Sequence, residues 1–253
     1  MFMLKAAVFS FIGVMALAVA AVQADPSDDI KSAVKALADS PNYSWSTTVQ
    51  GGFGRGPQEG KTEKDGYTSV SIQIQDNPYD IIIKGDKAAI KTDSGWKTPA
   101  ELMADAGDAA DGPPPPEQFA AIFARNFKTP TEQAQDTLDN LQNIQKTDTG
   151  YTADLTEDAA KKMLNRNRPR RNAATTNPDN GKGPPPFEVS NPKGSVKLTI
   201  KDGTLTQVQF HLTATISFNG NDRDVDRTTT MDIKNVGSTT VDVPDEAKAK
   251  LSS

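Results

Sequence analysis

The sequence predicts an α+β fold: a curved, mainly antiparallel sheet that forms an incomplete β-barrel, with helices covering its concave side. Every second residue from Val208 to Phe218 is apolar and every residue between them is polar, as in a strand with one buried face. Short turns join most of the roughly nine predicted strands, which favours antiparallel pairing. The roughly five or six helical segments do not alternate with the strands one for one, which argues against a doubly wound parallel fold.

The N-terminal segment, residues 1–24, has the features of a signal peptide. Lys5 precedes an apolar run from Ala6 to Val22, and the small residue Ala24 suits signal-peptidase cleavage. A retained membrane anchor is the alternative, but the run is shorter than the roughly 20 residues of a spanning helix. We therefore expect a periplasmic or secreted protein, cleaved after Ala24, whose residues 25–253 form one domain.

The composition excludes several classes of function. The chain has no cysteine and a single histidine, with 28 basic and 33 acidic side chains and a formal net charge of −5. Without cysteine there is no disulfide, thiol nucleophile, thiolate metal site or lipoprotein-type lipid anchor. The acidic balance argues against nucleic acid as a partner. We expect no metal and no other cofactor.

The first third of the mature chain predicts a helix followed by strands. Ser27 is the expected N-cap of the helix, whose apolar stripe consists of Ile30, Val34 and Leu37. Alternating patterns then predict strands over 43–49 and 70–74, with a glycine-rich loop over 51–60 between them. The segments 80–84 and 87–92 flank Gly85-Asp86, which predicts a hairpin of two further strands.

The middle of the chain, about residues 98–145, predicts a helical insertion. Thr98-Pro99-Ala100-Glu101 and Thr129-Pro130-Thr131-Glu132 share one helix-start signature, a threonine cap with proline next and glutamate at the third position. A third helix should begin near Pro116. Its predicted apolar face consists of Phe119, Ile122, Phe123 and Phe127, and that of the helix after Thr129 consists of Ala134, Leu138 and Leu141.

The last third predicts a strand, a helix and a closing meander. A strand over 151–155 leads to a helix capped by Thr156, and a flexible loop is expected over about 165–187 because Arg, Asn, Gly and Pro dominate there. The meander has strands over 196–200, 205–218, 231–233 and 241–243, with turns at Asp202-Gly203 and Asn219-Gly220; Pro244 opens a short helix.

This order of elements resembles the periplasmic lipoprotein carriers of the LolA type and the related LppX and LprG lipid-binding proteins. The motifs that carry the resemblance are Tyr43-Ser44-Trp45, Ile83-Lys84-Gly85-Asp86-Lys87, Gly95-Trp96-Lys97 and Val243-Pro244. The resemblance implies a bent sheet with acyl chains held between sheet and helices. It assigns no binding residue. LppX and LprG carry a lipid anchor on a cysteine that this chain lacks, so the soluble LolA type fits better.

A bent sheet with an apolar inner face leaves a concave surface, which helices fill wholly or in part. Partial filling would leave a pocket for a lipid or the acyl chains of a lipoprotein, whereas complete filling would make a structural or protein-interaction domain of the cell envelope. The residues expected on this surface are Val70, Ile72, Ile74, Phe119, Ile122, Phe123, Phe127, Val208, Phe210, Leu212, Ile216 and Phe218.

Polar motifs offer little catalytic chemistry, so we expect a non-enzymatic protein, with hydrolysis as the least favoured alternative. His211 has Gln209 and Thr213 as its uncharged neighbours on the polar face of its strand. Asp222, Asp224 and Asp226 lack the glycine and glutamate of a calcium loop, and are expected at a solvated hairpin end with Arg223 and Arg227 balancing them. The basic patch Arg166, Arg168, Arg170 and Arg171 would suit anionic head groups or a membrane surface, or else forms a hydrated loop.

Overall fold

The computed structural model describes residues 25–51, 57–75, 77–105, 115–165, 187–218 and 221–252. The strands within these residues are β1 (Asn42–Gln50), β2 (Gln58–Glu63), β3 (Thr68–Ile74), β4 (Asn77–Lys84), β5 (Lys87–Thr92), β6 (Gly95–Lys97), β7 (Leu141–Thr147), β8 (Gly150–Leu155), β9 (Phe187–Lys201), β10 (Thr204–Phe218) and β11 (Asn221–Lys234). The helices are α1 (Pro26–Asp39), α2 (Pro99–Asp105), α3 (Pro116–Asn126), α4 (Pro130–Leu138), α5 (Glu157–Asn165) and α6 (Asp245–Ser252).

All eleven strands form one open antiparallel sheet in the order β6-β5-β4-β3-β2-β1-β11-β10-β9-β8-β7. The two edge strands, β6 and β7, are joined in sequence by α2, α3 and α4. Ten strand spacings of about 4.8 Å would separate these edges by roughly 48 Å along the sheet, so the helical connection has to cross one face of it. The α+β prediction of a curved antiparallel sheet covered by helices is confirmed.

The two faces of the sheet have different covers. We call the face that carries Val70, Val208 and Phe210 the inner face; its apolar side chains share one core with α1, α2, α3, α4 and α5. The opposite, outer face is polar over most of its area, except where α6 packs on Ile82 and Ala89. The larger core therefore lies between the inner face and five of the six described helices.

Helix starts follow the predicted signatures in the middle of the chain. Thr98 and Glu101 exchange hydrogen bonds with each other's backbone N–H at 3.2 and 2.7 Å, and Thr129 and Glu132 form the same reciprocal capping box. The cap of α1 was predicted wrongly. Asp25, not Ser27, is the N-cap, because Pro26 fits the first helical position and the Asp25 carboxylate accepts the Ser27 N–H at 2.9 Å.

Strand β2 lies partly where a loop was predicted. Its inner-face positions in the register are Gln58, Gly60 and Thr62, so its sequence lacks apolar alternation. The Trp45 ring lies over the central position, and a Cβ built at Gly60 would fall 2.1 Å from that ring. The Trp45 ring of β1 thus occupies the space that a side chain at position 60 of β2 would fill.

Strand β7 begins where the helix after Thr129 was expected to continue. That helix ends at Leu138, and Leu141 opens the strand. A register shift between Gln142 and Gln145, with Asn143 at a φ of 52°, places Leu141 and Ile144 on the same face of the sheet, although they are three residues apart in sequence. The bulge therefore produced an apolar spacing that resembles a helix.

The expected strand over 241–243 is absent from the described residues. The Val241 N–H donates to the Glu63 carboxylate at 3.0 Å instead of joining a ladder, and Val243 is buried beside α6. No described helix combines the length and apolar character needed to span a bilayer. The predicted signal peptide, the interior of the predicted loop over 165–187 and the Asn219-Gly220 turn lie outside the described residues.

Candidate functional site

The inner face of β3, β4 and β5 is an aliphatic surface. The register aligns Val70, Ile81 and Ile90 in one row across these strands and places Ile72 beside Tyr79 in the next row. Val70, Ile81 and Ile90 are each 0% exposed, so no gap as large as a water molecule touches them. In this conformation the row is covered.

Helix α3 covers this surface, and it does so mainly with small side chains. Its buried positions are Ala120, Ala121, Phe123 and Ala124. Of the predicted apolar face, Phe123 is buried, whereas Phe119, Ile122 and Phe127 remain half-buried. Alanine lets the helix approach the strands closely, but each methyl group contributes much less buried apolar area than a leucine or phenylalanine side chain would.

An aromatic stack lies at the C-terminal end of α3, over the centre of the sheet. The Phe127 ring stacks on Trp45 with centroids 5.8 Å apart, and Phe123 lies 5.6 Å from Phe127. Trp45 is 4% exposed, and its indole N–H is buried with no acceptor in the described part of the chain. A buried donor without an acceptor is unfavourable, which makes this N–H a potential contact for a polar ligand atom.

Helix α4 is fixed more firmly than α3. The hydroxyls of Tyr43 and Thr131 are buried and lie 2.7 Å apart, which ties the first turn of α4 to β1. Burial raises the pKa of the Tyr43 hydroxyl, so it stays neutral and available for this hydrogen bond. The capping box of Thr129 and Glu132 adds a second constraint at the same end.

Helix α1 covers the other half of the inner face with large side chains. Ile30, Val34 and Leu37 are buried against the core that includes β10. The Tyr151 hydroxyl of β8 donates to the Asp29 carboxylate at 2.6 Å, and this hydrogen bond, with burial, raises the pKa of Tyr151 to about 12. The two covers, α1 and α3, thus differ in the size of the groups that hold them.

The residues predicted for the concave surface lie on the inner face or on its cover. On β3 and β10, Val70, Ile72, Ile74, Val208, Phe210 and Leu212 are buried, and Ile216 is half-buried. The side chain of Phe218 lies outside the described residues, as do Arg166, Arg168, Arg170 and Arg171. Trp45 and Ile81 were not among the residues predicted for the concave surface; alternation around Trp45 was visible, whereas Ile81 stands in a run of three isoleucines.

A polar groove of about 870 Å³ opens at the end of the sheet near Tyr43 and Phe127. Lys64, Lys84 and Glu132 contribute charged groups of both signs to its wall. Because Phe127 lines the groove and also stacks on Trp45, this residue separates the groove from the aromatic centre of the inner face.

The outer face of β10 and β11 carries a ladder of polar cross-strand pairs. Asp224 accepts from the Thr215 hydroxyl at 2.8 Å, and a His211 ring nitrogen lies 2.9 Å from an Asp226 oxygen. Gln209 and Thr213 on its own strand carry no charge, and the charged partner of His211 comes from β11, which the sequence analysis did not consider. His211 and Asp226 are both exposed, which fits a surface contact.

The backbones of Arg223 and Arg227 alternate in facing with those of the neighbouring aspartates. The register places them opposite Ile216 and Leu212, hence on the inner face, whereas Asp222, Asp224 and Asp226 lie on the outer face. Strand alternation separates them, because adjacent residues point to opposite sides of a sheet. Among the described residues, no group of three or more His, Asp or Glu side chains is arranged to hold a metal ion.

The solved structures similar to this chain include two proteins of mycobacteria, LppX and LprF. The Mycobacterium tuberculosis lipoprotein LppX has a TM-score of 0.46 and 10% sequence identity, over 85% of this chain and 97% of that one. LprF from Mycobacterium bovis has a TM-score of 0.41 and 10% identity, over 88% of this chain and 97% of that one. No protein-family model and no curated protein sequence matches the chain.

Proposed function

We propose that this chain is an exported binding protein that sequesters an apolar ligand, a lipid or the acyl chains of a lipoprotein, between the inner face and α3. The observation that carries the proposal is the pairing of a continuous aliphatic surface with a cover built largely from alanine. No catalytic step is part of the proposal.

When α3 moves away from the sheet, the free-energy cost depends on the apolar side chains that it exposes. Each buried methyl-sized group contributes about 0.8 kcal/mol, against about 1.5 to 3 kcal/mol for a buried Val, Leu, Ile or Phe side chain. Ala120, Ala121 and Ala124 therefore contribute less to the attachment of α3 than Ile30, Val34 and Leu37 contribute to that of α1, and Phe123 is the one large buried side chain of α3. An acyl chain that replaces α3 on Val70, Ile81 and Ile90 would restore the lost apolar contact.

The polar groove supports an entry route at the Phe127 end. Displacement of Phe127 would join the groove to the inner face beside Trp45, whose N–H would then be able to donate to a ligand oxygen. Helix α4, tied to β1 through Tyr43 and Thr131, would remain in place as the fixed side of the opening.

The first test is to purify the chain from its native cell, extract it with organic solvent and identify co-purified lipid by mass spectrometry. In parallel, Trp96→Phe leaves Trp45 as the one tryptophan of a chain that has two. Added long-chain lipid should change the Trp45 fluorescence, because the ligand would displace Phe127. Empty extracts together with unchanged fluorescence would count against the proposal.

A matched pair of variants tests the position of the ligand. Ile81 and Ile82 are adjacent buried residues of β4, but Ile81 lies on the inner face under α3 and Ile82 lies on the outer face under α6. Each change to alanine should destabilise the fold by about 2 to 5 kcal/mol. We expect Ile81→Ala alone to alter the affinity for an acyl probe. Equal effects of the two variants on binding would contradict the proposed site.

A second candidate function is a structural or protein-interaction domain of the cell envelope whose core stays filled. The complete burial of Val70, Ile81 and Ile90 favours this alternative. It predicts no bound lipid and no response of Trp45 to added lipid, so the same measurements separate the two functions.

Two further parts of the proposal rest on the sequence alone. Residues 1–24 would direct export and be removed after Ala24, so N-terminal sequencing of the exported protein should begin at Asp25. Arg166, Arg168, Arg170 and Arg171 would contact anionic head groups or a membrane surface, and replacing all four with serine should weaken binding to anionic vesicles.

A further inference from the structure

The acidic residues of the sheet lie on one of its two faces. Every acidic residue of the eleven described strands lies on the outer face by register: Glu59, Glu63, Asp80, Asp154, Glu188, Asp222, Asp224, Asp226 and Asp232. Arg227 lies on the inner face of β11, near the middle of the sheet, opposite Leu212. The sheet therefore presents a cation on the side where no strand of the described chain supplies an acid.

Arg227 is poorly solvated and incompletely hydrogen-bonded. Its side chain is half-buried, and its Nε is buried with no hydrogen-bond acceptor among the described residues. Leu212, opposite on β10, and Val225, two residues away on β11, are both buried apolar neighbours. Burial lowers the pKa of the guanidinium group, in keeping with an environment that disfavours an unpaired charge.

We propose that Arg227 binds the anionic head group of an amphiphile whose hydrocarbon chain lies along the inner face. A carboxylate or phosphate accepts two hydrogen bonds from the fork of a guanidinium group and would supply the acceptor that Nε lacks. From Arg227 to Ile233, beside Trp45, β11 extends roughly 20 Å at about 3.4 Å per residue, which is a suitable length for an acyl chain. The inference rests on the proposed binding function and narrows its ligand to an anionic lipid.

The test compares an acid with its neutral ester in the wild-type chain and in Arg227→Leu. The fluorescent probes are cis-parinaric acid and its methyl ester, which share one hydrocarbon chain. Wild-type protein should bind the acid at least about tenfold more tightly than the ester, as expected for a charge-assisted hydrogen bond. The Arg227→Leu variant should lose this preference, because its affinity for the acid should fall while its affinity for the ester stays unchanged.

Lys234→Leu is the matched control. It removes one positive charge from the same strand but from the outer face, so it should keep the preference for the acid. Displacement of the probe by oleate and by an oleoyl lysophosphatidate distinguishes the carboxylate from the phosphate as the preferred head group. Either result supports an anionic head group at Arg227.

Thermal unfolding without ligand gives an independent measurement. Because an unpaired, poorly solvated charge is unfavourable, Arg227→Leu should raise the Tm of the free protein, whereas an arginine that mainly stabilises the fold would give a lower Tm when replaced. Equal binding of acid and ester by both chains would overturn the Arg227 inference and leave the binding function standing. Failure of both probes to bind wild-type protein would overturn both.

Discussion

At the scale of single residues, the contact between Gly60 and Trp45 determines how the centre of the sheet packs. The Trp45 ring lies over Gly60 of the neighbouring strand and under Phe127 of the cover. A large aromatic side chain fits there because the facing strand position has no side chain. The pair explains why a strand as polar as β2 lies in the middle of an apolar inner face.

Gly60→Ala tests this contact. The added methyl group would lie 2.1 Å from the indole ring, and a ring clamped by Phe127 has little room to move. We expect a loss of about 1 to 3 kcal/mol in the free energy of unfolding, measured by urea denaturation.

Gly194→Ala is the comparison variant for that measurement. Its nearest neighbours would be the ends of the Leu155 and Leu212 side chains at 2.9 Å, which are able to rotate away. A loss at Gly60 no larger than the loss at Gly194 would show that the Trp45 ring is not held tightly.

At the scale of secondary structure elements, Glu101 links two helices. Its carboxylate accepts from the Thr98 backbone at the start of α2 and from Lys250 of α6 at 2.6 Å. The bond from Lys250, followed by those from Thr98, lowers the pKa of Glu101 to about 2. A lowered pKa in the folded chain means that ionised Glu101 favours the folded state.

The pH dependence of stability follows from the lowered pKa of Glu101. The contribution of Glu101 should be fully present above about pH 4.5, the ordinary pKa of the group, and be lost as the pH falls towards about 2. The difference in stability between wild type and Glu101→Gln should therefore shrink over this range, as measured by chemical denaturation at several pH values.

Glu59→Gln, on the outer face of β2, controls for the loss of one carboxylate elsewhere. A gap between wild type and Glu101→Gln that stays constant from pH 6 to pH 2.5 would contradict the assigned role of Glu101.

At the scale of the whole molecule, the helices that cover the inner face differ in the contacts that attach them to the sheet. Helix α1 is held by large aliphatic residues and by the hydrogen bond between Tyr151 and Asp29, and α4 is held by Tyr43. Helix α3 buries three alanines and Phe123, and so has fewer large aliphatic contacts than α1. Local opening is expected where the buried apolar contact is smallest.

Hydrogen exchange measured by mass spectrometry tests this order of attachment. Amides of α3 should exchange faster than those of α1, and an added acyl ligand should change the exchange of α3 but not that of α1. Equal protection of the two helices, with or without ligand, would contradict a cover that opens at α3.

Much of the fold could be predicted from the sequence, because strand alternation and helix caps are local signals. The alternation from Val208 to Phe218 identified the inner face of β10, and two threonine-proline signatures located the starts of α2 and α4. The strands β2 and β7 could not be recognised. Their patterns depend on the Trp45 ring and on a bulge at Asn143, which involve other strands.

In strands with apolar alternation, such as β3 and β10, the sequence by itself determined which side chains are apolar and therefore which face is buried. Only the tertiary structure decided what covers that face, and that Arg227 lies on it while the aspartates beside it lie on the outer face. The physical reason is that alternation is a property of one chain segment, whereas register, cover and charge pairing depend on segments that are distant in sequence.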